Sequence, residues 1–269
     1  MQDSQNSHRY ININTSVLFN ISFFNASKHE LIYQYVKEIL KIDTVKKTTL
    51  LFTPNPEQVI EASHNVEFLR AVQSADVCIP DGIGVVLASR YYSLFDRTVQ
   101  PLRERITGID VMKDVVTTYP THTCAVIGGL VDDDPLLPRK LVIDGIEVAW
   151  LPAYADASAP TEKEQQAVEA FLKHVRPEVV FVAFGAPKQE YWAVSQREAL
   201  AHYGVKLAMV VGGSVDVFSG RLQRAPGLVR RLGLEWLYRL MQEPWRWRRQ
   251  LRLLSFIALA LREPFRAKA

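Results

Sequence analysis

Unbroken apolar runs alternate with stretches of helical period along most of this chain. The runs at 17–24, 49–52, 77–79, 123–127, 147–151, 179–184 and 207–211 predict strands. Most are continuous and rich in Val and Ile, the pattern of a sheet buried on both faces. Between them, helical spacing predicts helices near 28–40, 57–74, 83–92, 110–118, 162–174 and 188–203, the first capped by Asn25 or Ser27. Such alternation implies an α/β fold, Rossmann-like, with a mainly parallel sheet flanked by helices and right-handed crossovers. The polar residues 1–14 predict a disordered N-terminus ahead of an α/β domain over 15–220.

The apolar runs end in small polar or glycine clusters, and in an open parallel sheet ligands bind beyond the carboxyl ends of the strands. Those ends read Thr53-Pro54-Asn55, Pro80-Asp81-Gly82, Gly128-Gly129, the stretch from Gly185 to Glu190, and the stretch from Gly212 to Asp216. All five are expected to face one crevice. Asp81, between Pro and Gly before a helix, has two readings: an N-cap, or a general base whose apolar neighbours Val77, Ile79, Ile83 and Val85 raise its pKa. Thr53 and Asn55 read either as strand termination and capping or as hydrogen-bonding groups for substrate. Glu57 fits an ordinary first-turn acid. The glycines allow close approach of backbone to a ligand, and Lys188 and Gln189 read as a solvated helical turn or as contacts to a diphosphate. No GxGxxG or GxxxxGK[ST] is present, which weighs against a dinucleotide oxidoreductase and a Walker-type hydrolase. No Cys/His cluster or DxD pair points to a metal or other cofactor, and the Asp132-Asp133-Asp134 run reads as a solvated loop.

Charge changes the picture at the C-terminal end. The 269 residues carry a net +3, but the residues from Arg221 onward hold twelve Lys/Arg and three Glu, so the body is net negative and the tail net +9. Three of the five tryptophans, Trp236, Trp245 and Trp247, lie in that tail, which Pro226, Gly233, Pro244 and Pro264 divide into predicted helices over 227–242 and 245–262. Trp247, Leu251, Leu254 and Leu261 fall at near-helical spacing, with Arg246, Arg248, Arg249 and Arg252 around them. This reads as a basic, aromatic segment for a membrane surface rather than for nucleic acid, although two plain core helices fit the same pattern. No apolar run approaches the roughly 18 residues of a spanning helix. Cys78 and Cys124 sit in apolar runs and read as reduced core residues, and with no signal-like leader the expected setting is cytoplasmic.

The segments TPNPEQV, SADVCIPDGIGVVLASR, ERITGIDVM, VFVAFGAPKQEYW, VVGGSVDVFSGRLQRAP and RRLGLEWLYRLMQEPWRWRR occur in that order. In this set the chain resembles the WecG/TagA/CpsF family (glycosyltransferase family twenty-six) over about residues 15–262. The resemblance implies an inverting, metal-independent transfer of an N-acetylmannosamine-type sugar. The donor is a UDP-sugar, and the acceptor is GlcNAc on a polyprenyl diphosphate held in the membrane. It further implies that Asp81 and Thr53 are catalytic, with Asn55 beside them, and that Gln189 and Asp216 serve the donor side. The tail, residues 221–269, is expected to close over the site and to meet the inner face of the plasma membrane. Gly128, Gly129, Gly185, Gly212 and Gly213 are expected to approach the substrates, and Arg221, Arg224, Arg230 and Arg231 the diphosphate. Between Gly129 and Glu162 the chain departs from the family pattern, which admits another donor such as an N-acetylmannosaminuronic acid. Self-association into a homo-oligomer is compatible with all of this.

Overall fold

The structure, a computed structural model, describes residues 13–266, so most of the N-terminal segment expected to be disordered lies outside the described residues. Nine strands form one sheet: β1 (Thr15–Leu18), β2 (Ile21–Phe24), β3 (Thr49–Phe52), β4 (Val77–Cys78), β5 (Cys124–Gly128), β6 (Arg139–Ile143), β7 (Ile146–Leu151), β8 (Val179–Ala183) and β9 (Leu207–Val210). Their order is β1-β2-β4-β3-β9-β8-β5-β7-β6. Neighbours from β2 through to β7 run parallel, and only the edge strands β1 and β6 are antiparallel.

Both edges are hairpins. The single strand expected at 17–24 is two, because Phe19 and Asn20 take φ of 54° and 60° and turn the chain back on itself. The second hairpin joins β6 to β7 through Asp144 and Gly145, at φ 52° and 85°. Strand β6 opens on Arg139 and Lys140, charges suited to a sheet edge.

The first helical stretch is α-helical at Lys28–Glu30 (α1) and Lys37–Leu40 (α2), with π-helical Leu31–Val36 between. The helix expected over 57–74 splits into α3 (Pro56–His64) and α4 (Val66–Gln73). Asn65 breaks it, leaving the helical region and accepting a hydrogen bond from the Phe68 N–H. Then follow α5 (Ile83–Tyr92), α6 (Gly108–Thr118), α7 (Glu162–Val175), α8 (Lys188–Ser195), α9 (Arg197–His202) and α10 (Ser214–Phe218). Alternate residues of each buried strand face opposite layers. Leu50, Phe52, Val180, Val182, Ala208 and Val210 meet one set of helices. Leu51, Val77, Val126, Phe181 and Met209 meet the other. Cys78 is buried, Cys124 is half-buried, and both are free thiols whose pKa burial pushes up to about 12.

The tail consists of α11 (Gly227–Arg231), α12 (Glu235–Gln242), a 3-10 turn at Pro244–Arg246 and α13 (Trp247–Arg266). The predicted helix over 227–242 breaks at Gly233. That residue takes φ 73°, and a side chain there would strike Ile83. Helix α13 is not a detached attachment. Phe256 is fully enclosed in the core layer that contains Phe52 and Val85, its ring is 5.4 Å from that of Phe19, and Ala260 is buried beside it. Arg252 pairs with Glu61 of α3 at 3.2 Å. The opposite face stays exposed: Trp247, Leu251, Leu254, Ile257 and Leu261 all face solvent. Among the described residues, no helix is long and apolar enough to cross a membrane.

Candidate active site

Backbone pairing continues past the sheet and sets the first half of the site. The Ile79 N–H donates to Phe52 O (2.9 Å), the Asp81 N–H to Pro54 O (3.2 Å) and the Ile106 N–H to Pro80 O (3.1 Å). The ends of β3 and β4 and the approach to α6 are thereby zipped together by residues 27 and 26 positions apart in sequence. Thr53 is buried, and its hydroxyl donates a long hydrogen bond (3.4 Å) to Val210 O on β9. Asn55 caps α3 in a reciprocal box: its Oδ1 accepts from the Gln58 N–H (3.1 Å), and its own N–H donates to Gln58 Oε1 (3.0 Å). The capping reading of Asn55 therefore holds, and the residue also lines the cavity described below. Asp81 does not cap α5. Gly82 occupies that position with φ 136° and no side-chain cap, leaving the Asp81 carboxyl to face the crevice.

That crevice is a cavity of about 680 Å³. One wall carries Thr53, Asn55, Asp81, Arg105, Gly185, Gln189, Gly212 and Gly213; the tail closes the other with Arg224, Trp236, Tyr238, Arg239 and Arg246. Burial pushes the Asp81 pKa up to about 7. Arg105 and the Gly108 N–H oppose the rise, while Glu235 and Asp110 add to it. A carboxyl poised there is basic enough to take a proton from a hydroxyl near neutrality.

Four guanidinium groups line the same space, and each is held by a carboxylate. Arg105 makes only long contacts, 3.5 Å to Glu235 and 3.5 Å to Arg230 O. Arg224 pairs with Asp110 at 2.6 Å. Burial pushes Asp110 up, but hydrogen bonds from Thr107 and Arg224 outweigh that and hold its pKa below the ordinary range. Arg239 and Arg246 share Glu243, at 2.9 and 2.6 Å, and Arg239 also reaches Asp216 at 3.4 Å. Burial of Glu243 is likewise outweighed, by hydrogen bonds from Arg239 and Arg246, so it stays ionised and fixes both arginines. Asp216 is raised by burial in spite of Arg239. Gly213 lies directly under the Arg239 guanidinium, where any side chain would collide with it. Cations fixed in a half-enclosed space suit an anionic phosphate, which Arg binds through paired N–H groups.

The structure brings together Thr53, Asn55, Asp81, Gly185, Gln189, Gly212, Gly213 and Arg224 from the expected site. It places the rest elsewhere. Gly128 and Gly129 are not in the lining. Gly128 accepts the Trp150 indole N–H at 2.6 Å, and side chains at the two positions would collide with Ala183, Phe184 and Val215. Their strand, β5, lies one place beyond β8, so four strand ends meet in the crevice rather than five. Asp216 sits behind Arg239 rather than in the wall. Arg221 turns away to the exposed Asp132 (3.2 Å). Arg230 contributes its carbonyl to Arg105, and Arg231 is exposed on α11. Lys188 pairs with Asp156 at 2.6 Å. Arg246, expected at a membrane face, points into the cavity instead. Arg105 and Arg239 are functional candidates that sequence reasoning passed over, and Arg246 one it assigned to the membrane, although all three lie inside the matched segments ERITGIDVM and RRLGLEWLYRLMQEPWRWRR. Among the described residues, no group of three His, Cys, Asp or Glu side chains is arranged to hold a metal ion.

The chain is 33% identical over 220 residues to an N-acetylglucosaminyldiphosphoundecaprenol N-acetyl-beta-D-mannosaminyltransferase of Bacillus spizizenii, covering 80% of each chain. It is 30% identical over 253 residues to the protein of the same name from Bacillus subtilis, covering 93% of this chain and 92% of that one. A Staphylococcus aureus protein of that name is 30% identical over 230 residues, with 82% and 83% covered. The model of the glycosyl transferase WecG/TagA/CpsF family matches residues 16–269, from within β1 through the tail, and the chain belongs to that family.

Proposed function

We propose that this protein transfers an N-acetylmannosamine residue from a UDP donor to GlcNAc on a polyprenyl diphosphate, with inversion at the anomeric carbon. One observation carries the reading: a carboxyl with a pKa near 7 faces the same cavity as four held guanidinium groups. Asp81 takes the proton of the acceptor hydroxyl as its oxygen bonds to the anomeric carbon. The bond from that carbon to the UDP oxygen breaks, and the electron pair leaves with the diphosphate. Arg105, Arg224, Arg239 and Arg246 meet the charge that develops there, fixed in advance by Glu235, Asp110 and Glu243. Thr53 and Asn55 lie on the Asp81 side of the cavity and orient the acceptor. Gln189, Gly212 and Gly213 lie on the side of Arg239 and serve the donor.

The segment that departs from the family pattern, from Leu130 to Thr161, contributes no residue to the cavity lining. That supports N-acetylmannosamine as the first choice over another UDP-sugar. Mass spectrometry of products from a panel of UDP-sugars, offered with a GlcNAc-diphospho-lipid acceptor, tests the proposal. Transfer of N-acetylmannosamine above all others is expected; transfer of none of them overturns it.

The acceptor in this reading stays in the bilayer, and the protein is proposed to meet it as a peripheral protein on the cytoplasmic side. The exposed row Trp247, Leu251, Leu254 and Leu261 on α13, with Trp245 and Met241 beside it, supports that reading. Arg248, stacked over Trp247 at 5.5 Å, supplies a cation at the same face.

A further inference from the structure

Glu190 follows Gln189 on α8 and is only 1% exposed, yet it is outside the cavity lining and has no role in the chemistry above. Its Oε1 accepts two hydrogen bonds, from Gln58 Nε2 at 2.7 Å and from Gln189 Nε2 at 2.9 Å. Its Oε2 is buried without a partner. Burial pushes its pKa up to about 7 against the hydrogen bonds it receives, which leaves Oε2 as the oxygen free to carry a proton when the group is neutral. In either protonation state Oε1 offers only lone pairs, so both glutamines must turn their NH2 groups toward it.

That requirement fixes the other end of each amide. With its NH2 toward Glu190, Gln58 presents Oε1 to the Asn55 N–H at 3.0 Å and completes the capping box. With its NH2 toward Glu190, Gln189 presents Oε1 to the Gly212 N–H at 3.0 Å. A flipped amide in either place would set NH2 against N–H and leave buried donors unpaired. One carboxyl thus selects the orientation of two amides, one on the Asp81 side of the cavity and one on the Arg239 side.

We propose that Glu190 is a positioning residue for sugar transfer, acting through Gln58 on Asn55 and through Gln189 on Gly212. The inference rests on the transfer reading for its kinetic part only. Its chemical content is that an acceptor oxygen is needed at this point and a negative charge is not. Glu190→Gln keeps an oxygen that accepts both bonds, whereas Glu190→Met keeps the size and removes the acceptor.

The test measures kcat and KM for both substrates, together with hydrogen exchange of the Gln58 and Gln189 side-chain amides by NMR. Glu190→Gln is expected to hold kcat within about threefold, with both amides protected. Glu190→Met should lose about a hundredfold in kcat, the scale on which a small misplacement of reacting groups acts, with KM moving less. Its amides should exchange freely. Amides as well protected in Glu190→Met as in the wild type overturn the proposal whatever the activity. So does a kcat in Glu190→Met within threefold of the wild type, or an equal loss in the Gln and Met variants. If Glu190→Met does not fold, Gln58→Met removes one arm alone: faster exchange at the Asn55 N–H with lower kcat supports the proposal, and no change in either sinks it. A wild-type protein inactive on every sugar in the panel would refute the transfer reading, while the amide measurement would still decide the positioning of Gln58 and Gln189.

Discussion

Asp81→Asn separates the catalytic from the structural consequences of one buried carboxyl. Folding carries this group from an ordinary pKa of 3.8 up to about 7. The folded state therefore holds the proton more tightly than the unfolded chain. The penalty is absent below pH 3.8, grows as pH rises toward 7 and is complete above it. Each tenfold change in proton affinity is about 1.36 kcal/mol, so the full penalty at pH 8 is at most roughly 4 kcal/mol. Asp81 is half-buried rather than sealed, and solvent screening reduces this to a few kcal/mol. The Asn variant carries no charge and escapes the penalty. For a chain of this size, each kcal/mol moves Tm by about 2–4 °C. Thermal denaturation should show Asp81→Asn more stable than the wild type at pH 8, with the gap closing toward pH 4. Turnover should fall at least about a hundredfold, as expected for loss of a general base. The wild-type kcat/KM should rise with pH through about 7, and Glu190→Gln should keep that limb, since Glu190 titrates in the same range. A variant that keeps a tenth or more of wild-type turnover removes Asp81 from the role of base. Identical melting curves at both pH values would show that its carboxyl is not desolvated.

Two further predictions concern the Gly213–Arg239 contact and the exposed face of the tail. Gly213→Ala places a methyl group on the Arg239 guanidinium, and Arg239→Lys removes paired N–H contacts; steady-state kinetics should show each raising the donor KM about tenfold or more, with little change in Tm. Replacing Trp245, Leu251 and Leu254 together by Ser strips exposed apolar surface without touching the buried Phe256; sedimentation with anionic liposomes should fall severalfold, while transfer to a short soluble acceptor stays within about twofold.

The sheet interior was legible because its strands are unbroken apolar runs, and each expected interior strand lies within two residues of the observed one. Strand β6 was missed. Its run, Arg139–Ile143, is short and opens on two charged residues, and the Asp144-Gly145 turn after it is a strong hairpin signal. The Asp81 side of the site was legible for a related reason. Thr53, Asn55 and Asp81 sit at the ends of adjacent parallel strands, so topology alone brings them together. Gly128-Gly129 failed the same argument by one place in strand order, which no single strand reveals.

The cations were legible only in part, and the reason is geometric. Arg221, Arg224, Arg230 and Arg231 drew attention because they cluster in sequence. Clustering identifies a site only while a helix keeps its phase, since three or four positions separate residues on one face. Here α11 ends at Arg231, and Gly233 reverses the backbone into the left-handed region before α12 begins. The face presented by Arg230 and Arg231 therefore says nothing about the face presented by Arg239. Arg239 lies in α12, Glu243 caps its C-terminal end and Arg246 closes the 3-10 turn that follows. Arg239 and Glu243 stand four apart, and Arg246 stands three further on, an arrangement in which one carboxylate holds two guanidinium groups on one side. The cavity receives the two arginines that share a carboxylate and not the adjacent pair Arg230 and Arg231, for which no ion pair is seen among the described residues. In this tail, the placement of Glu243 marks the functional cations better than the density of positive charge does.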